Sequence, residues 1–494
     1  MAGAAIVAAP VAPQAHADDG PAGRTQEPIA PRGSTTFSLN ALAAYPGAGA
    51  PATASDFTLD AGSDLSGRVA ALDSALYKQG VANLLADANH PVKSGSNCPD
   101  TFGPAPLRRS ETYCFESADA NTREWIPQAV TGVSDAQADE TWGTSSRPII
   151  TGWYDNWNPV REDGGTCTSS VSDACNEKGV RITFVEPATM KYRHVLLVWP
   201  YLNSAGNMSY DGLHASENPD QNGIHAGGMV WYGNYLYVAD TNDGIRVFDM
   251  RYIMDLNPDG DASTNDWTED GLKSDVTDTR KIGRQSGVYY SFGYRYVMPQ
   301  VGTWHFRTTQ YNTGAATCAD NGAPKASYLS LDRSGTDKLI VGEYCRHNTT
   351  LPSLGRIGAW PAADLSNFAP GGTVTADSTY FLPVEGLQGA ARYNGNWYFN
   401  QSHGFANGDI WRAKIDSAGL LMTTGGAIRT ATGPEDFYIE HGQGTGRAPR
   451  LWSVSEHRPD TPLFDTDPDN DNACADSSPC ARTLYSHLLS DVLP

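Results

Sequence analysis

Apolar and polar positions along this chain come in short bursts, with helical spacing in one place only. The clearest burst is Ile224 to Met250, IHAGGMVWYGNYLYVADTNDGIRVFDM, where the runs MVWY, YLYVAD and IRVFDM are separated by Gly233-Asn234 and by Thr241-Asn242-Asp243-Gly244. Runs of β-branched and aromatic residues bounded by Gly, Asn and Asp predict antiparallel strands joined by tight turns, because those turn residues accept positive φ at little cost.

The same meander recurs in degraded form. Gln128 to Glu186 holds AVTGV, PIITGWYDN and VRITFVE, and Ala326 to Pro361 holds SYLSLDRSG, DKLIVGEY and GRIGAW. Leu387 to Ile415 holds QGAARYNGN, WYFNQSHG and DIWRAKI, and Gly433 to Asp465 holds PEDFYIEHG, RLWSVSEH and TPLFD. A unit of three or four strands repeated at irregular spacing predicts an all-β fold, a β-propeller, in which each blade buries its faces against its neighbours. Five blades are expected. Gly287 to Thr308 reads equally as a sixth, or as the outer strand of the second followed by an excursion.

Helical spacing appears at Ser66 to Asn89, where Val69, Leu72, Leu76, Val81, Leu84 and Leu85 fall on one face and predict one helix. The expected organisation is a signal-peptide remnant over 1–17, a flexible lead-in over 18–35, a cap with one helix and a disulfide over 36–126, and the propeller over 127–494. The remnant rests on an apolar stretch and on Ala15-His16-Ala17 before Asp18, an A-x-A cleavage pattern without a basic n-region. Two polar stretches, Asn257 to Thr279 and Asn312 to Pro324, are expected to stand on the rims of the wheel.

Composition narrows the partners. With 35 basic and 56 acidic residues the net charge is −21, which argues against nucleic acid or an anionic membrane surface. The eight cysteines pair most parsimoniously as neighbours: Cys98 with Cys114, Cys167 with Cys175, Cys318 with Cys345, Cys474 with Cys480. An even number at local spacing without C-x-x-C favours disulfides, hence a secreted, extracellular protein, over zinc, and a monomer is expected. The alternating carboxylates Asp465, Asp467, Asp469 and Asp471 suit oxygen coordination of a structural Ca²⁺, although the Gly and Glu of a standard loop are missing. A solvated acidic loop is the competing reading, and no cofactor is required.

In a propeller the first residues of each innermost strand and the last residues of each second strand meet at one mouth of the central channel. The inner strands supply Gln128, His225, Ser327, Gln388, Glu435 and Asp436. The second strands end in Asp155-Asn156, Asp240 with Asn242, Glu343 with His347, Gln401 with His403, and Glu456-His457. Channels are commonly lined with polar groups that only hold water, so each residue must be weighed against that. His225, His403, Glu435 and Glu456 are the catalytic candidates. Asp155, Asn156, Trp153, Tyr154, Asp240, Glu343, Gln388, Asp436 and His457 are the substrate-binding candidates, the aromatic ones by stacking on sugar rings. Paired carboxylates about 5 to 9.5 Å apart would serve glycoside hydrolysis. Imidazole with Tyr or Arg would serve proton abstraction in β-elimination from a uronic acid.

No G-x-S-x-G, H-E-x-x-H, Walker A or G-x-G-x-x-G motif is present, which leaves elbow-type hydrolases, zincins and nucleotide enzymes without local support. The segments HAGGMVWYGNYLYVADTNDGIRVFD, LQGAARYNGNWYFNQSHG and PEDFYIEHG with RLWSVSEH resemble a group of secreted β-propeller proteins common in filamentous actinobacteria. That resemblance spans roughly 125–465, implies fold and export, and carries over no catalytic residue. More remotely, five-bladed wheels resemble families of glycoside hydrolases and of lectins. Two functions follow as expectations: an extracellular carbohydrate-active hydrolase or lyase, or a non-catalytic glycan-binding propeller. A multivalent lectin repeats its binding residues blade after blade, whereas the strand ends here differ (WYDN, ADTN, GEYC, QSHG, SEHR), which favours one asymmetric site.

Overall fold

A computed structural model describes residues 48–493 apart from 104–106, 123, 144–145, 156–177, 215–223, 259–265, 268–272, 309–317, 347–353, 368, 460–472 and 475–479. The alternating segments form five antiparallel sheets in chain order. The first runs Trp125–Gly132, Ile149–Asp155, Val180–Glu186, Lys191–Leu202. The second runs Met229–Tyr232, Tyr235–Asp240, Gly244–Asp249, Tyr296–Phe306. The third runs Tyr328–Asp332, Lys338–Gly342, Arg356–Pro361, Ser378–Phe381. The fourth is Leu387–Tyr393, Asn396–His403 and Ala406–Ile415, with two short strands outside. The fifth is Tyr438–Glu440, Arg450–Val454 and Thr483–Leu488.

The first strand of each sheet packs against the first strands of its two neighbours, and the fifth returns to the first. This is a closed wheel, a β-propeller. Within the segment Gly287 to Thr308, Tyr296–Phe306 is the outer strand of the second sheet, while Val288–Ser291 belongs to a separate four-stranded sheet with Asp266–Trp267, Lys273–Asp275 and Ile282–Gln285. The other edge of Tyr296–Phe306 pairs in parallel with Lys191–Leu202 and joins the first two sheets at their rims.

Turn chemistry follows composition: Asn394 and Gly395, at φ 49° and 80°, turn the fourth sheet's first hairpin as a primed turn requires. Every sheet contributes a fully buried tryptophan, Trp153, Trp231, Trp360, Trp397 and Trp452 in order. Each fills the space between adjacent sheets, where a large flat side chain buries the most apolar surface.

Residues before 125 enter the wheel in ways the sequence did not announce. Glu111–Cys114 is the outer strand of the fifth sheet, paired with Thr483–Leu488, and Thr58–Ala61 pairs with Tyr296–Phe306 of the second. The single helix expected over Ser66 to Asn89 is two, Ser66–Asp73 and Gly80–Ala86. Tyr77–Lys78 between them pairs with Met254–Asp255, and Gly80 takes φ 68°, outside the right-handed helical region. The six expected apolar positions are nonetheless all buried.

Cys98–Cys114 and Cys318–Cys345 are disulfides as expected. Cys480 is also disulfide-bonded. Cys167, Cys175 and the side chain of Cys474 lie outside the described residues, as do Asn156, His347 and the carboxylates Asp465, Asp467, Asp469 and Asp471. Among the described residues, no helix is long and apolar enough to cross a membrane.

Candidate active site

Glu435 opens the inner strand of the fifth sheet and Glu456 closes the second. Pro434 and Ser455 form a bridge between these segments, so Glu435 and Glu456 are diagonal neighbours on one face, within reach of each other. The two carboxyl groups are close enough for the charge of one to act on the other. Glu435 is 1 % exposed, and burial, followed by the charge of Glu456, holds its carboxyl well above the usual glutamate range. The Glu456 side chain is 13 % exposed. The pair is thus a buried acid under a water-accessible partner.

Neighbouring sheets complete the surround. Gln128, from the first inner strand, donates Nε2 to Glu456 Oε2 at 2.8 Å, and Gln388, from the fourth, donates Nε2 to Glu435 Oε1 at 3.2 Å. His457 Nε2 lies 3.6 Å from Glu456 Oε1 and donates to Gly404 O at 3.0 Å. Burial holds His457 below the usual imidazole range, and its ring packs on Phe405. From the third sheet, Tyr344 is close enough to feel the charges of Glu435 and Glu456. Its hydroxyl accepts from Nε of the exposed Arg346 at 2.8 Å. Burial raises the Tyr344 hydroxyl above its ordinary range, so it stays protonated.

His225 stacks on Tyr154, centroids 4.2 Å apart. Gly227 and Gly228, close after His225, serve the wheel itself. A Cβ at 227 would stand 2.1 Å from Ser327 O, and one at 228 would stand 2.0 Å from Leu329 N. Only glycine lets the second inner strand approach the third this closely.

Several sequence candidates have other employment. Trp153 is 0 % exposed, between Phe115 and the Arg181 guanidinium, and cannot stack on a sugar. Asp155 accepts the Lys178 amide at 2.6 Å. Asp240 is buried in an ion pair with Arg246 inside its own hairpin. Glu343 is fully buried and binds Nε of Arg356 at 3.0 Å and the Lys325 and Arg356 amides. Asp436 is 0 % exposed and accepts the amides of Val130 and Met229, tying three inner strands together. His403 pairs with Asp409 across its hairpin at 3.0 Å. A strand's last residue takes one of two faces, and the face, which sequence position leaves open, decides whether a carboxylate meets the channel or its own turn.

Arg346 and Arg482 escaped the sequence reading. Arg482 is fully buried, donates Nε to Glu456 O at 2.9 Å and fixes the backbone behind the pair. Its position next to Cys480-Ala481, after an acidic loop, carries no periodic signal.

The arrangement sets a neutral carboxyl at Glu435 beside the Glu456 side chain, with the Tyr344 hydroxyl, bonded to Arg346, within electrostatic reach of both.

No protein-family model matches the chain, and no curated protein matches it significantly. Among solved structures it is similar to a GH43_1 enzyme from Xanthomonas citri complexed with xylotriose, at 7% identity and a TM-score of 0.31, covering 74% of this chain and 88% of that one. It is similar to the Aleuria aurantia lectin in complex with alpha-methyl-L-fucoside, at 10% identity and a TM-score of 0.25, covering 68% and 73%. An alpha-L-arabinofuranosidase from Clostridium thermocellum gives 8% identity and a TM-score of 0.21, covering 62% and 73%. At these values none of them assigns a residue or a reaction to this chain.

Proposed function

We propose that the chain is a secreted, monomeric carbohydrate-active enzyme that cleaves uronate-bearing polysaccharide by β-elimination at the channel mouth. The observation that carries this reading is the adjacency of Glu435, buried and held neutral, to the more exposed Glu456. In a syn elimination the proton leaving C5 and the oxygen leaving C4 are on one face of the sugar, and two adjacent carboxyl groups match that spacing. Glu456, as carboxylate, takes the C5 proton; the C–H electrons form the C4–C5 double bond; the C4–O4 bond breaks; and the Glu435 carboxyl protonates O4. The pair ends with the one proton it began with, moved to the other residue, and transfer between the two carboxyl groups resets it. Arg346 at the rim is the group that would neutralise the uronate carboxylate and acidify C5.

Secretion is supported by the two disulfides, which persist in oxidising compartments. The lectin reading is the alternative, and the asymmetry of the mouth, to which each sheet brings different groups, speaks against it.

The test is a panel of uronate and neutral polysaccharides assayed for unsaturated-uronate absorbance and for reducing ends. Absorbance with the uronate polymers is the expected result. New reducing ends without absorbance would identify a hydrolase, and retention on a glycan without cleavage a lectin; either outcome overturns the proposal.

A further inference from the structure

A second cluster of chemically active side chains lies at the seam between the first and fifth sheets, behind the candidate site, with Arg482 donating to Glu456 O on one side and Asp119 O on the other. His90 sits in the two-residue strand His90–Pro91, which pairs with Lys191 and Tyr192 on the first sheet's outer strand. Glu116 precedes, and Asp119 belongs to, the helical turn Ser117–Ala120, which follows the fifth sheet's closing strand. One ligand atom from each of His90, Glu116 and Asp119 lies within 4.8 Å of the others. His90 Nδ1 and Glu116 Oε1 are in contact.

We infer that His90, Glu116 and Asp119 form a site for a divalent transition ion of the Zn²⁺ class. An imidazole with two carboxylates is a borderline donor set: it suits Zn²⁺ or Co²⁺, whereas Ca²⁺ and Mg²⁺ prefer oxygen alone. The two carboxylates supply the negative charge for a cation, with the Arg181 guanidinium on Asp119 Oδ1 and the Arg482 guanidinium on the Asp119 carbonyl behind them. The third ligand is fixed from behind, as metal carboxylates generally are. Arg181 donates to Asp119 Oδ1 at 2.8 Å, and Tyr192 Oη and His194 Nε2 hold Oδ2, the latter at 3.1 Å. Thr183 in turn orients His194, its hydroxyl 2.7 Å from Nδ1.

Access is open on the other side. The His90 and Glu116 side chains are 33 % and 36 % exposed, so an ion can enter and keep water in its remaining positions. The position gives the ion a structural task, since it clamps the segment carrying the closing strand to the first sheet.

The test is titration of the full-length, EDTA-treated protein with Zn²⁺ by calorimetry, and with Co²⁺ by visible absorption, beside His90→Ala and Glu116→Gln. Both substitutions alter part-exposed side chains and leave the buried Asp119–Arg181 pair in place. Expected are one Zn²⁺ per chain, ligand-field bands on Co²⁺ addition, a rise in Tm with Zn²⁺, and at least about a tenfold loss of affinity in each variant. Absence of saturable one-to-one binding, or unchanged affinity in either variant, overturns the site and leaves a His–carboxylate ion pair in its place.

Discussion

Gln128 and Glu456 are 328 positions apart in the chain, yet the Gln128 carboxamide donates to the Glu456 carboxylate at 2.8 Å. The contact spans the junction of first and fifth sheets and fixes the Glu456 side chain from the first inner strand. Gln128→Met keeps the bulk and removes the donor. With Glu456 no longer held in place, kcat is then expected to fall about tenfold. An unchanged kcat would dissociate Gln128 from the chemistry.

Glu435→Gln keeps a neutral hydrogen-bonding group and removes the transferable proton. Turnover is expected to fall by about 10²–10⁴-fold, the usual worth of a positioned acid, with the chain still folded by circular dichroism.

The same variant changes stability with pH. The folded chain holds the Glu435 proton above the ordinary value of 4.5, where the unfolded chain has released it. The stabilisation is therefore complete below pH 4.5 and declines as pH rises toward the folded value. Glu435→Gln is expected to flatten that decline and to be more stable than wild type at pH 8 in urea denaturation. Asp436 and Asp135, also held high chiefly by burial, carry the same sign, so the slope is reduced and not abolished.

A net charge of −21 repels a polyuronate. Added salt screens that repulsion, since the Debye length shrinks from about 30 Å at 0.01 M to about 10 Å at 0.1 M. On the uronate polymer kcat/KM is expected to rise over this range, while a rate that falls with salt would point to attraction dominated by Arg346.

Glu343→Gln removes the fully buried carboxylate partner of Arg356 and leaves it with Asp56, 3.3 Å from Nη1. The loss is expected to be about 3–5 kcal/mol, read by denaturant midpoint, while activity per folded molecule at low temperature is unchanged. A loss of activity without a loss of stability would return Glu343 to the site.

Gly228→Ala sets a methyl against the Leu329 backbone. Overpacking of this kind costs about 1–3 kcal/mol or more, and here it separates the second inner strand from the third. A lower Tm is expected, and an unchanged one would mean that the strands part freely.

The wheel was legible because each sheet opens with an apolar run and turns on Gly, Asn or Asp. The same rule brought Glu435, Glu456, Gln388 and Gln128 to one mouth. What it could not supply was orientation: Asp240, Glu343 and Asp155 end their strands as Glu456 does, but turn toward Arg246, Arg356 and the Lys178 amide. The strands Thr58–Ala61 and Glu111–Cys114 were illegible for another reason. Four residues are too few to display an alternation, and neither segment belongs to a repeat.

The Glu111 amide reaches the hydroxyl of Ser486 over a separation of 375 residues, so the last stave of the hoop is seated by a ribbon made near the beginning of synthesis. A ribosome-bound chain lacking its final strands has nothing to latch, and its naked edges invite partners from other copies. Once latched, a nick in any surface turn leaves the hoop held on both sides of the cut. Such a molecule is slow to assemble and, after assembly, hard to unravel.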